Sequence, residues 1–168
     1  MWSRVSEQFA GQKVRLEVAR KMLEYGIRVA TDGKLFIGGL EVDYSALARD
    51  VGADRRVVKQ TARQIREDDF LYSIFGRIMP VGASLVPVIA RLGYSALVIE
   101  ADPRAAGVIS AAAAALARHK IVVRQALADD PDMIPAAKLT LVVEGRVPGS
   151  VIEELNRIDT VRSVTLMR

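Results

Sequence analysis

The spacing of apolar residues changes character at Tyr94, and that change constrains the fold of this 168-residue chain more than any other feature. From Tyr94 onward, short apolar runs at strand spacing cover Tyr94–Glu100, Ile121–Leu127, Lys138–Glu144 and Val161–Met167. Between them lie two segments at helical spacing, Gly107–His119 and a second that starts with Pro148 in its first turn and runs to Ile158. The order is strand, helix, strand, strand, helix, strand. The alanine run Ala111–Ala115 gives the first helix a flat face that can lie close on a sheet.

That order predicts the split βαβ, ferredoxin-like topology over residues 94–168. A unit of about 75 residues is marginal alone, so its strand edges and alanine-rich helix point to pairing with a second copy. Upstream the periods differ. A helix is expected from about Gln8 to Tyr25 with Gly26 as its stop, then strands at Ile27–Val29 and Leu35–Ile37 joined by the turn Thr31-Asp32-Gly33, with Leu40–Val42 continuing after Gly38-Gly39. Ser45 opens a short helix ended by Gly52, and Asp54 caps another from Arg55 to about Glu67. The apolar stretch Asp69–Met79 reads as a helix ended by Pro80, and Ser84 as the cap of a short helix Leu85–Leu92. The fold class expected is therefore α+β. It comprises a helical domain at 1–68, a helical connector at 69–93 and the ferredoxin-like domain at 94–168.

Charge singles out one segment. Six basic residues fall within Arg49–Arg66 against only Asp50 and Asp54, in a chain whose net charge is +4. The same segment, YSALARDVGADRRVVKQTARQI, carries the requirements of a helix-turn-helix. Ala48 is small enough for a close helix crossing, Gly52 suits the turn, and Leu47, Val51, Ala53, Val58 and either Ala62 or Ile65 supply apolar contacts. Once those are buried, helical geometry leaves Arg55, Arg56, Lys59, Gln60 and Arg63 outside, four of them cationic. Such a helix suits the major groove of DNA, where Arg pairs with guanine and Gln with adenine. Arg49 and Arg66 flank it near phosphates. A helical hairpin that contacts another protein has the same spacing but no need of so basic a face.

Other classes of chemistry are excluded. With no cysteine and a single histidine, His119, the chain has no disulfide framework, thiolate zinc site or multi-histidine metal centre. No catalytic constellation is present, so the chain is not expected to be an enzyme, and no cofactor or metal is implied. Asp129, Asp130 and Asp132 read as a solvated loop, His119 as a helix-end residue, and Tyr25, Phe36, Phe70, Tyr72 and Phe75 as core. The longest apolar stretch, Ala105–Ala117, is 13 residues, too short to span a bilayer. Charged residues near the N-terminus break any signal-peptide core, which makes the cytoplasm the expected compartment.

The strand–loop–helix sequence YSALVIEADPRAAGVIS, with Glu100 at the strand end, Asp102-Pro103 in the loop and Gly107 opening the helix, resembles an ACT domain. KIVVRQALADDPD and KLTLVVEGRVPGSVIEELNRIDTVRSVTL resemble its remaining elements, so the likeness covers about Tyr94 to Arg168. In the ACT pattern the glycine directly follows the proline; here Arg104-Ala105-Ala106 intervene. With the basic segment upstream, the whole chain resembles archaeal predicted regulators of amino-acid metabolism that carry an ACT domain. The resemblance implies a homodimer that holds an amino acid or related effector at its interface. The residues themselves supply part of this. Backbone N–H groups of Ala105, Ala106, Gly107 and Val108 at a helix start suit a carboxylate, and Asp102 suits an ammonium, although Asp-Pro is also an ordinary turn signal. The functional expectation is a dimeric DNA-binding transcriptional regulator that senses such an effector. The alternative is a regulatory subunit that docks on a biosynthetic enzyme through its N-terminal domain.

Overall fold

The computed structural model describes residues 1–168 as an α+β chain that divides into two compact units, Met1–Gly82 and Ala83–Arg168. The division falls inside the 69–93 stretch that the sequence sets apart as a connector, so that stretch is shared between the units.

The first unit begins with α1 (Trp2–Gln8) and α2 (Lys13–Tyr25), where the sequence alone suggests one helix from Gln8. A turn at Ala10–Gly11 separates them, and it lets α1 bury Trp2 and Val5, with Phe9 just beyond it. Strands β1 (Ile27–Val29), β2 (Leu35–Ile37) and β3 (Leu40–Val42) form an antiparallel sheet in chain order. Helix α3 (Tyr44–Val51) follows, capped by Asp43 and not Ser45: the Asp43 carboxylate accepts the Ser45 N–H at 2.6 Å. That hydrogen bond is the first reason the Asp43 pKa lies below its ordinary value. Helix α4 (Arg55–Glu67) is capped by Asp54, which accepts the Arg56 N–H at 2.7 Å. Leu47 and Ala48 of α3 and Val58, Ala62 and Ile65 of α4 are buried. Helix α5 (Asp69–Phe75) is shorter than the apolar stretch suggests: it ends at Gly76, four residues before Pro80. Of the aromatic residues expected in the core, Phe75 is fully buried, whereas Tyr25 is 42% exposed and donates to Asp50.

The second unit opens with a single 3-10 turn, Val86–Val88, and the four-residue α6 (Ile89–Leu92), in place of one continuous helix. Strands β4 (Tyr94–Ala101), β5 (Val123–Ala128), β6 (Lys138–Glu144) and β7 (Val161–Met167) alternate with α7 (Val108–Arg118) and α8 (Gly149–Asn156). The sheet order is β5-β6-β4-β7, antiparallel throughout, with Leu97 opposite Leu141 and Val98 opposite Thr165. Leu97, Ile99, Leu139, Leu141 and Val143 pack with Ala112, Ala115 and Leu116 of α7 and Val151 and Leu155 of α8. The alanines sit at i and i+3 on the inner face of α7, which is what allows that helix to approach the strands closely. On the opposite face Ile89 covers Ala96 and Val142. The Gln125 side chain fixes the 83–86 segment there by accepting from Leu85 N and donating to Ala83 O, both at 2.9 Å. No helix is long and apolar enough to cross a membrane.

Candidate functional site

Helix α4 sorts its residues by angle. At 100° per residue, Arg55, Arg56, Lys59, Gln60, Arg63 and Arg66 occupy an arc of roughly 140°, whereas Val58, Thr61, Ala62 and Ile65 fill the opposite side. All six in the first arc are exposed, and so is Arg49 in the last turn of α3. The only polar side chain buried on α4, Thr61, bonds to Val57 O at 2.8 Å, so nothing on its inner side is left unsatisfied.

The cations differ in what holds them. Arg63 pairs with Glu67 one turn on at 2.8 Å, a contact that raises its pKa further above the ordinary guanidinium range. Arg55 lies over the Tyr44 ring at 5.8 Å. Arg49, Arg56, Lys59 and Arg66 make no ion pair, so their charge is available to a polyanion. Lys59, Gln60, Arg63 and Arg66 also border a cleft of about 220 Å³ closed by Asp32, Gly33 and Tyr44. The Tyr44 hydroxyl donates to Gly33 O at 2.6 Å and thereby pins the β1–β2 turn beside this face. Gln60 is not free: Arg15 of α2 donates to its Oε1 at 2.9 Å. The sequence offers no local sign of that partner.

In the second unit, the β4–α7 loop and the β5–β6 loop enclose a cavity of about 470 Å³. Of the five residues expected to hold a ligand, Asp102, Ala105, Gly107 and Val108 line it. Ala106, exposed on the same loop, does not line it. Most of the wall is apolar, with Ile99, Ala101, Val108, Ile109 and Leu139 among its residues. Two carboxylates stand in it. Asp102 accepts the Arg104 N–H at 3.0 Å, an Asx turn, and Asp129 accepts the Lys138 N–H at 3.1 Å and closes the β5–β6 loop. Lys138, the one cation in the lining, is paired with Glu100 at 2.8 Å. That pairing is the first cause of the raised pKa of Lys138 and of the lowered pKa of Glu100. Gly107 stands at the N-cap of α7 with φ 92, and no side chain caps the helix there.

Sequence alone reads Asp129 as part of a solvated loop. Its neighbours give no reason to place it in a cavity, but the topology does. In an antiparallel β5-β6-β4-β7 sheet, the connections β4–α7 and β5–β6 leave from the same end.

No family model and no curated protein matches the chain. Among solved structures, one titled "Crystal structure of PH0061" aligns over 93% of this chain and 90% of that chain, at 12% identity and a TM-score of 0.30. A likeness of that degree bears on neither fold nor function.

Proposed function

We propose that this chain is a dimeric, DNA-binding transcriptional regulator of amino-acid metabolism. Its first unit acts as a helix-turn-helix domain and its second as a ferredoxin-like, ACT-like sensor of an amino acid or related small metabolite. The observation that carries the reading is the exposed face of α4 with Arg49: seven polar residues, six of them cationic, of which Arg49, Arg56, Lys59 and Arg66 have no acidic partner. An unpaired cationic arc on a helix is the surface that phosphate neutralisation and base-edge recognition both need.

The cavity at Asp102 and Asp129 supplies the sensing half. Its apolar wall suits an aliphatic side chain, the two carboxylates suit an α-ammonium, and the uncapped start of α7 suits a carboxylate. Two copies of the chain set the two α4 helices for half-sites about 34 Å apart, and a ligand that favours one setting shifts operator affinity.

Fluorescence anisotropy with labelled duplex DNA at a series of salt concentrations tests the reading. The expected result is an affinity that falls steeply with salt in the native chain and is abolished by Arg56→Glu with Lys59→Glu, at an unchanged circular dichroism spectrum. No affinity at low salt refutes the regulator and favours docking on an enzyme through the first unit. A thermal-shift screen of the twenty amino acids tests the sensor, because a ligand that binds only the native state raises its melting temperature.

A further inference from the structure

Gln60 is the one uncharged side chain on the proposed reading face, and it is held by a residue outside that face. Arg15 of α2 donates from Nη2 to Gln60 Oε1 at 2.9 Å, and from Nη1 to Gln64 Oε1 at 3.0 Å and Gln12 Oε1 at 2.7 Å. The amide of Gln64 in turn donates to Gln8 O at 3.0 Å. A guanidinium has donors only. Each glutamine must therefore turn its oxygen, and not its nitrogen, toward Arg15, and three such contacts hold the guanidinium in one place. The nitrogen of Gln60 is left pointing away from Arg15, bonded to nothing else.

This changes what Gln60 can read. A free glutamine recognises adenine by accepting from N6 through Oε1 while donating to N7 through Nε2. Here Oε1 already accepts from a cation; its second lone pair is open, but an adenine N6 amino group brought to it would point its positive N–H dipole at the Arg15 guanidinium, whereas an acceptor edge beside it is attracted. Guanine presents only acceptors, N7 and O6, on its major-groove edge. We propose that Arg15 is a positioning residue that fixes Gln60 as a donor and gives it a preference for guanine over the adenine that a free glutamine selects. The inference rests on the DNA-binding reading and adds to it a base preference set from α2.

Selection of duplexes from a randomised pool by the full-length chain tests it, with Gln60→Ala and Arg15→Met run beside the native protein. Methionine keeps an apolar stem of similar reach and removes the donors. In the native chain one position of the selected site is expected to favour guanine. Gln60→Ala loses preference at that position alone, which assigns it. Arg15→Met removes the cation from Oε1, and the same position is expected to shift toward adenine by roughly 5- to 150-fold, the range of one bidentate base contact. A purely structural role for Arg15 predicts weaker binding to every duplex and an unchanged base preference; that result overturns the proposal, as does adenine preference in the native chain. Thermal melts of both variants establish that they are folded. Absence of any DNA binding by the native chain overturns the regulator reading and this inference with it, whereas binding with an unaltered preference in Arg15→Met removes only the inference.

Discussion

Gly26 and Gly52 close α2 and α3 with almost the same backbone, φ 65 and ψ 35 against φ 69 and ψ 33, but in different surroundings. A Cβ on Gly52 meets nothing within 4 Å, whereas one on Gly26 stands 2.5 Å from Pro80 N and 2.8 Å from Met79 C. The pair therefore separates conformational cost from steric cost. A left-handed backbone costs a residue with a side chain about 1–2 kcal/mol. Reduced freedom of the unfolded chain returns about 0.4–1 kcal/mol of that. Gly52→Ala is expected to destabilise by about 1 kcal/mol, a shift of about 4–8 °C for a unit of this size. Gly26→Ala carries the same cost and adds an overpacking cost of about 1–3 kcal/mol. The atoms in its way are backbone, so relief requires the 79–80 segment to lift. Met79 is 67% and Val81 99% exposed, so little else holds that segment in place. Urea denaturation of both variants gives the two costs, and trypsin cleavage after the exposed Arg77 reports the lifted segment. Equal destabilisation by the two substitutions, or cleavage after Arg77 no faster in Gly26→Ala than in Gly52→Ala, refutes the reasoning.

Leu116 is fully buried between α7 and the sheet, and Leu116→Ala is expected to destabilise by about 2–5 kcal/mol in urea. Ile109, 55% exposed on the same helix, is expected to cost less than about 0.5 kcal/mol when cut to alanine. Glu154 of α8 receives hydrogen bonds from Arg118 and His119, which hold its carboxyl below the ordinary carboxylate range. A carboxylate lowered on folding adds stability above its unfolded pKa and loses it as pH falls through its folded pKa. Glu154→Gln should therefore melt lower than the native chain at pH 7, with the gap closing below about pH 4; a gap that persists in acid contradicts the assignment. Removing the unpaired Lys59 with alanine is expected to lower the salt slope of DNA binding by about 0.9 for each phosphate that the ammonium neutralises, read from anisotropy titrations. Asp129→Asn is expected to weaken any ammonium-bearing ligand found by thermal shift, while a ligand without an amine keeps its effect.

What the sequence discloses depends on how far apart the cause and the effect lie along the chain. The strands β4 and β6 are legible because burial on both faces makes each a short, near-continuous apolar run, and Gly52 and Asp54 are legible because a helix end is decided within four residues. The exposed face of α4 follows from the same local rule, since burying Val58, Ala62 and Ile65 fixes where Arg56 and Lys59 must point. The division between Gln8 and Lys13 is less legible, because Phe9 and Leu16 keep helical spacing across a break that only Gly11 marks. Asp129 joins Asp102 because of strand order, and the oxygen of Gln60 is bonded by a guanidinium 45 positions away. Neither arrangement leaves a local trace. Composition can place a polar group on a face, but what the group presents to a partner is decided by which of its atoms are already bonded. Gln60 shows the consequence for the proposed DNA-reading role: side-chain identity alone suggests adenine, whereas a cation bonded to its oxygen would favour guanine.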